Sequence, residues 1–341
     1  MSNNTLKEQY LKLKEEQPKL RIRNAAEALG VSEAQLVALN IGAGTTLLNS
    51  NFQDLLLEVH QLGEVMALTR NNSAVHERKG VYNNVSFNSH VGLVVNEDVD
   101  LRLFMMHWAV AFAVIEGERS SIQFFDKSGE AVHKIYATPN TNMEAFQSLV
   151  AKFTANDQNE QFNYVAYPEA EAEFPDSAID VNVFREGWLG LQDTHDFFGL
   201  TRKHKLTRTQ ALRLAPENHV YQLSNSASRN LLDLASERTV PIMVFVGNKG
   251  CIQIHSGEVK KVMEAGPWYN VLDPKFNLHL NEKEIVSTYV VKKPSVDGMI
   301  TAVEVFDKNG EIIVQFFGKR KPGIPELEEW RTLVNDLPKA E

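Results

Sequence analysis

The chain of 341 residues contains one cysteine, Cys251, so no intramolecular disulfide framework can staple it. It has no apolar run of membrane-spanning length. The most apolar stretch, 101–115, is interrupted by Arg102 and His107. Segment 1–19 is polar and lacks the apolar core of a signal peptide. These three absences together lead to the expectation of a cytoplasmic location. Positive charge is also scarce: 35 Lys and Arg stand against 44 Asp and Glu, a net charge of −9. That excludes a general nucleic-acid binder and requires any anionic ligand to find a local basic pocket. No Cys-x-x-Cys-His occurs, which excludes covalent c-type haem attachment, and neither a P-loop nor a dinucleotide fingerprint is present.

What the chain does contain is itself, twice. Leu6 to Leu13 returns as Phe184 to Leu191, Val65–Leu68 as Ile242–Phe245, and Asn71 as Asn248. Phe125-Asp126-Lys127-Ser128-Gly129-Glu130 returns as Phe306-Asp307-Lys308-Asn309-Gly310-Glu311. A period of about 180 residues is a duplicated domain, because solenoid units repeat every 20–50. Segment 154–180 holds seven acidic residues and no Lys or Arg, which reads as a linker. The expected organisation is an N-terminal repeat (1–154), an acidic linker (155–180) and a C-terminal repeat (181–341).

Each repeat reads as helices, then strands, then a closing helix. In the first, Gly30 ends a helix over 21–29, and Ser32 with Gln35 forms a capping box for the next. In the second, a helix is expected over 183–200. Successive strands joined by short turns imply antiparallel pairing. The fold class is therefore α+β, a tandem duplication in which each half is a large antiparallel sheet with helices packed on one face.

The duplication supplies a control, since residues kept in both halves are explained by the fold. His195 stands where the first half has Gln17, Arg208 where it has Glu33, and Lys292-Lys293 where it has Ile115-Glu116. Lys319-Arg320-Lys321 replaces Thr138-Pro139-Asn140. In return, Arg102 and Phe104 of the first half stand where the second has His279 and Asn281. Phe184, Trp188, Leu191 and His195 recur at helical spacing, with Phe198 continuing the stripe, so His195 is expected to point into an apolar region. One explanation is a core histidine satisfied by a hydrogen bond. The other is an axial ligand to iron, because a neutral imidazole binds iron well and a flat macrocycle with two carboxylates needs an apolar pocket rimmed by cations. Arg208 and Arg320 suit such carboxylates. Taken one at a time, the basic residues could equally be ordinary surface charge.

Three further features have ordinary explanations. Residues 25–36 have the outline of a helix-turn-helix, but the second helix carries Glu33 and no cation, so a DNA-binding role stands only as the alternative. His76 is expected to be an exposed strand-end histidine, with a second haem contact as the other reading. His204 and His219 are expected in surface loops.

Taken together, several segments resemble the HemS/ChuS/HmuS/PhuS family of cytoplasmic haemin-degrading or haem-trafficking proteins of Gram-negative bacteria. They are Trp188 with Asp193-Thr194-His195-Asp196-Phe197-Phe198, Asn72 to Glu77, Asp100 to Phe104, Ile242 to Asn248, and Gly318-Lys319-Arg320. The resemblance covers essentially the whole length. It implies haem b as ligand, held in the second half, with His195 as the proximal iron ligand. Arg102 is implied on the distal side, the one tentative catalytic residue, with Phe104 beside it. Arg208, Lys293 and Arg320 are implied around the propionates, and Phe245, Gln315 and Phe317 as pocket walls. Family members have been assigned both to haem delivery and to haem degradation with an external electron donor. The implied partners are an inner-membrane haem importer of the ABC type, a haem oxygenase or a reductase, with no nucleic acid and no membrane insertion.

Overall fold

The structure is a computed structural model. It describes residues 3–89, 91–159, 162–169, 172–321 and 323–340. No helix among them is long and apolar enough to cross a membrane.

The first half opens with α1 (Asn3–Glu16), α2 (Ile22–Leu29), α3 (Glu33–Ala38), β1 (Thr45–Leu48) and α4 (Phe52–Glu58). Strands β2 (Gly63–Arg70), β3 (Ala74–Gly80), β4 (Val85–Phe87), β5 (Gly92–Val95), β6 (Asp100–Leu103), β7 (Trp108–Glu116), β8 (Arg119–Asp126) and β9 (Ala131–Thr141) follow, and α5 (Met143–Phe153) closes it. The second half runs α6 (Val181–Leu189), α7 (Asp196–Lys203), α8 (Arg208–Arg213), β10 (Val220–Leu223) and α9 (Ala227–Glu237). Then come β11 (Ile242–Gly247), β12 (Cys251–Gly257), β13 (Val262–Ala265), β14 (Trp268–Leu272), β15 (Phe276–Asn281), β16 (Ser287–Ser295), β17 (Gly298–Phe306), β18 (Ile312–Gly318) and α10 (Glu328–Asn335).

The strands make two nine-stranded sheets, ordered β1-β7-β8-β9-β2-β3-β15-β14-β13 and β10-β16-β17-β18-β11-β12-β6-β5-β4. The antiparallel α+β duplication expected from the sequence is what the chain adopts. The exchange of three strands between the halves is additional to it. So are the short strands β1, β4, β10, β13 and β14, which periodicity did not reveal.

The chain divides into two compact units. The first comprises residues 1–70, 77–168 and 248–253; the second comprises 71–76, 169–247 and 254–341. Each small exchanged segment is anchored by the same repeated residue. In the second unit, Asn71 Nδ2 donates to Gly247 O (3.2 Å) and Ile313 O (2.8 Å), while its Oδ1 accepts from Ser73 N and Ala74 N. In the first, Asn248 Nδ2 donates to Arg70 O (2.9 Å) and Val132 O (2.8 Å), and its Oδ1 accepts from Gly250 N and Cys251 N. Each asparagine amide is thus used on both its nitrogen and its oxygen.

The local signals near the N-terminus hold. Gly30 ends α2 at φ 66°, and Ser32 and Gln35 form the reciprocal capping box of α3. Helix placement is fuller than one face per sheet. In the second unit Val290, Val303, Val305, Val314 and Phe316 share a core with Leu231 and Leu232 of α9 and Trp330 and Leu333 of α10. The alternate residues Val291 and Phe306 pack instead with Phe184, Trp188, Phe197 and Leu212 of α6–α8. Side chains alternate along a strand, so α6–α8 cover the opposite face. The acidic segment 173–176 is clasped onto α8. Arg213 pairs with Glu173 (3.0 Å) and Asp176 (2.8 Å), and Gln210 Nε2 donates to Phe174 O (2.7 Å).

Candidate functional site

His195 departs from its expected setting. The helix expected over 183–200 is two helices: Gly190 ends α6 and His195 caps α7 at its N-terminus. The apolar stripe is real for Phe184, Trp188 and Leu191, all buried, but the break swings its continuation to Phe197, which is 1% exposed. Phe198, expected on the buried face, is 72% exposed. The His195 side chain is 89% exposed, so it faces solvent and not a core.

Its orientation is nevertheless fixed. Asp193 Oδ1 accepts both the backbone N–H of His195 (2.8 Å) and its ring Nδ1–H (2.6 Å). The first of these bonds, then the second, then the charge of Arg320 hold the Asp193 carboxyl below its ordinary value. With Nδ1–H committed to a carboxylate, the neutral ring carries its lone pair at Nε2 on the exposed edge. A carboxylate behind a ligating imidazole is the arrangement that fixes tautomer and raises basicity at metal sites. Phe198 follows His195 one turn later, and Val296, 76% exposed, is tied to Gln192 O through its backbone N–H (2.9 Å). Arg320 pairs with Asp297 beside Val296 at 2.8 Å.

Arg208 and Lys293 do not stand free at a pocket mouth. Both converge on Glu304 of β17, which sequence reasoning passed over. Arg208 makes a two-pronged bond to it (2.7 and 2.6 Å), and Lys293 Nζ reaches the same carboxylate at 2.9 Å. Glu304 and Lys293 side chains are 0% and 5% exposed, whereas Arg208 keeps 27%. Burial pushes the Glu304 carboxyl up, but Arg208 and Lys293 more than offset it and hold it at about 2. Burial pushes the Lys293 ammonium down to about 8, against the pull of Glu304. Both cations also lie over the Phe197 ring, Lys293 at 4.4 Å and Arg208 at 5.3 Å from its centroid. Phe197 is two residues from His195, so α7 carries the histidine and the aromatic plate of the cationic cluster together. The signal for Glu304 was present: it replaces Gln123 of the first half and is a lone acid in the apolar strand Thr301–Phe306.

The expected wall residues do come together. Phe245 and Gln315 are register partners on β11 and β18, Gln315 in turn pairs with Glu304, and Phe245 meets Phe317 edge-on at 5.0 Å. All three are partly exposed on the sheet face that Glu304 shares.

Arg102 and Phe104 belong to the first unit. Arg102 lies on β6, ion-paired with Asp100 and donating to Leu101 O at 3.2 Å. Phe104 follows the strand, its N–H bonded to Gly250 O at 2.9 Å. His76, expected to be exposed, is 0% exposed and packs against Phe276 (4.9 Å between ring centroids). His204 lies in the turn after α7, as expected of a loop residue, but is half-buried against Phe184. In the helix-turn-helix-like segment, Glu33, Ala34, Leu36 and Val37 of α3 are all buried. A helix turned inward on four of six residues cannot read a groove.

Two nine-stranded sheets built by duplication define a duplicated α+β protein, with the exposed carboxylate-backed His195 and the Arg208–Lys293–Glu304 cluster in its second half. A family model described as the haemin-degrading HemS.ChuX domain matches it twice, over residues 30–153 and 205–337. The chain belongs to the HemS family. It is 39% identical over 337 residues to the hemin transport protein HemS of Yersinia enterocolitica, covering 97% of this chain and 96% of that protein. Among solved structures it is similar to holo-PhuS, a heme-binding protein from Pseudomonas aeruginosa (TM-score 0.96, 43% identity, all of both chains). It is likewise similar to the heme degrading enzyme ChuS of Escherichia coli O157:H7 (TM-score 0.93, 36% identity, 99% of this chain and 100% of that one).

Proposed function

We propose that this protein binds haem b in the cytoplasm as part of haem uptake and iron acquisition, with His195 as the axial ligand. The observation that carries the reading is the exposed His195 ring, its Nδ1–H fixed by Asp193 and its Nε2 outward, on the same helix as the plate beneath a cluster of net positive charge. Full-length relatives described as hemin transport, heme-binding and heme degrading proteins support it. The residues fit the ligand in kind. A neutral imidazole suits iron, Phe198, Phe245 and Phe317 supply apolar surface, and Arg208 with Lys293 exceed Glu304 by one positive charge to meet a propionate. Arg320, whose charge acts on Asp193, is proposed for the rim near the histidine. Arg102, with Phe104, is proposed as the distal group on the family pattern.

When bound, haem would supply an iron centre able to take up oxygen once reduced. Asp193 holds the proton on His195 Nδ1, keeping Nε2 available as a ligand. Arg102, as the proposed distal group, would supply N–H donors. Those roles serve a carrier as well as a haem-degrading enzyme, and a haem importer, a haem oxygenase or a reductase are the proposed partners. The test is to supply the haem-loaded protein with a reductant and oxygen in the presence of catalase, which removes free peroxide. Loss of the Soret band with release of iron and a linear tetrapyrrole supports an enzyme. A persistent Soret band with transfer to an apo-acceptor supports a carrier.

A further inference from the structure

The two halves hold buried ion pairs of opposite polarity from the same helix position, Glu33 matching Arg208, to neighbouring strands, Lys134 matching Gln315, the register partner of Glu304. In the first unit the helix residue is the acid, Glu33, and the sheet residue Lys134 is the base. In the second the helix residue is the base, Arg208, and the sheet residue Glu304 is the acid, with Lys293 added. The first pair is neutral, and its side chains are 3% and 7% exposed. The second group sums to one positive charge and leaves Arg208 open to solvent. Among the described residues Glu304 is the one anion paired with these two cations, and its side chain is wholly buried.

We propose that Glu304 is a positioning residue that sets the ligand preference of this cluster. It fixes Arg208 and Lys293 side by side on Phe197 and keeps both charged, so that the group, still one charge positive, favours a macrocycle carrying a free carboxylate over the corresponding ester. This rests on the haem reading above. Glu304 touches no ligand; it acts by orienting the guanidinium and by holding the proton on Lys293. The charged groups facing Lys293 are Glu304 from β17 and Arg208 from α8. Phe197 of α7 presents only its ring, and Tyr289 of β16 and Gln315 of β18, the two register partners of Glu304, are uncharged. Because burial has brought Lys293 down to about 8, the preference should weaken as pH rises through that value.

The experiment measures, from pH 6 to 9.5, the ratio of affinities for haem and for haem dimethyl ester, a ratio that cancels changes at the iron. In the wild type it should fall by up to about tenfold per pH unit above the Lys293 midpoint. Glu304→Gln should move that midpoint down by about one pH unit or more, since Lys293 loses the counter-charge of Glu304. Lys293→Arg should abolish the fall, because a guanidinium keeps its charge throughout. If Glu304→Gln fails to fold, the Lys293→Arg profile decides the matter. A wild-type ratio flat across the range, or an unmoved midpoint in Glu304→Gln, overturns the proposal. Absence of haem binding by the wild type at pH 7 sinks the haem reading itself, and this inference with it.

Discussion

The ion pair between Glu33 and Lys134 gives a measurable test of how the first unit is held together. Both side chains are almost fully buried, and Glu33 Oε2 has no hydrogen-bond partner. Burial pushes the Glu33 carboxyl up, yet Lys134 and then Arg23 and Arg70 bring it below its ordinary value. Breaking a buried pair strands the surviving charge and costs about 3–5 kcal/mol. The two single substitutions should not cost the same. Lys134→Met leaves Glu33 with two arginines still nearby, which places it at the lower end, about 3 kcal/mol. Glu33→Gln leaves Lys134 and Arg70 facing each other with their chief anion gone, and belongs at the upper end, about 5 kcal/mol. With a urea slope of about 2 kcal/mol per molar, the midpoint of the first unit's transition should drop by roughly 1.5 M and 2.5 M respectively. The double replacement Glu33→Leu with Lys134→Met removes both charges and should recover most of the loss, to within about 2 kcal/mol of the parent. Urea unfolding followed by a probe in the first unit measures all three. Single variants within about 0.5 kcal/mol of the parent, or a double variant equal to the sum of the singles, would refute the reasoning, since either outcome means that water screens the pair.

Three other outcomes follow from the structure. Burial lowers His133 to about 3, and its ring bonds Thr69 (2.8 Å) and Tyr82 (2.6 Å) in the neutral state. The unfolded chain binds that proton near pH 6.5 and the folded chain does not, so stability is fully present above pH 6.5 and declines toward pH 3 by up to about 1.4 kcal/mol per unit. Thermal melts of the wild type and His133→Gln across this range should diverge at pH 7 and converge in acid; parallel curves would contradict it. Gly129 adopts φ 81° in the turn after β8, and a Cβ there would lie 2.1 Å from Ser32 Oγ of the α3 cap. Gly129→Ala should therefore cost about 1–3 kcal/mol, read as a drop in melting temperature, with an unchanged melt speaking against the close approach. Removing the acceptor behind the proposed ligand by Asp193→Ala should weaken haem binding by about 10–100-fold in a spectral titration, while Asp193→Asn retains part of it.

How far the sequence carried depended on the range of the interaction. The Gly30 helix end and the α3 capping box are satisfied within a few residues, and both were legible. The Asn71 and Asn248 correspondence was visible as a repeat, but not that each amide anchors a segment exchanged between the halves, because their partners lie 176 to 242 and 116 to 178 residues away. Strands β13 and β14 escaped because their turn at Gly266-Pro267 splits two short segments, the first of them largely exposed. At the site, periodicity ran the Phe184–Trp188–Leu191 stripe straight through Gly190, although that glycine ends the helix. The consequence was a histidine expected in a core and found on a surface. The repeat located Arg208 and Lys293, yet comparing gains of positive charge drew the eye away from the acid gained at Glu304. A buried cation pair needs such a partner, and the exchange of Gln123 for Glu304 was its only trace in the sequence.

The most direct test of the account is an absorption titration of the protein and of His195→Ala with haem at neutral pH. The account predicts one haem per chain in the wild type, with a Soret band distinct from that of free haemin, and a weakened complex in the variant whose spectrum reverts toward free haemin. The same band position and the same affinity in both proteins would contradict it.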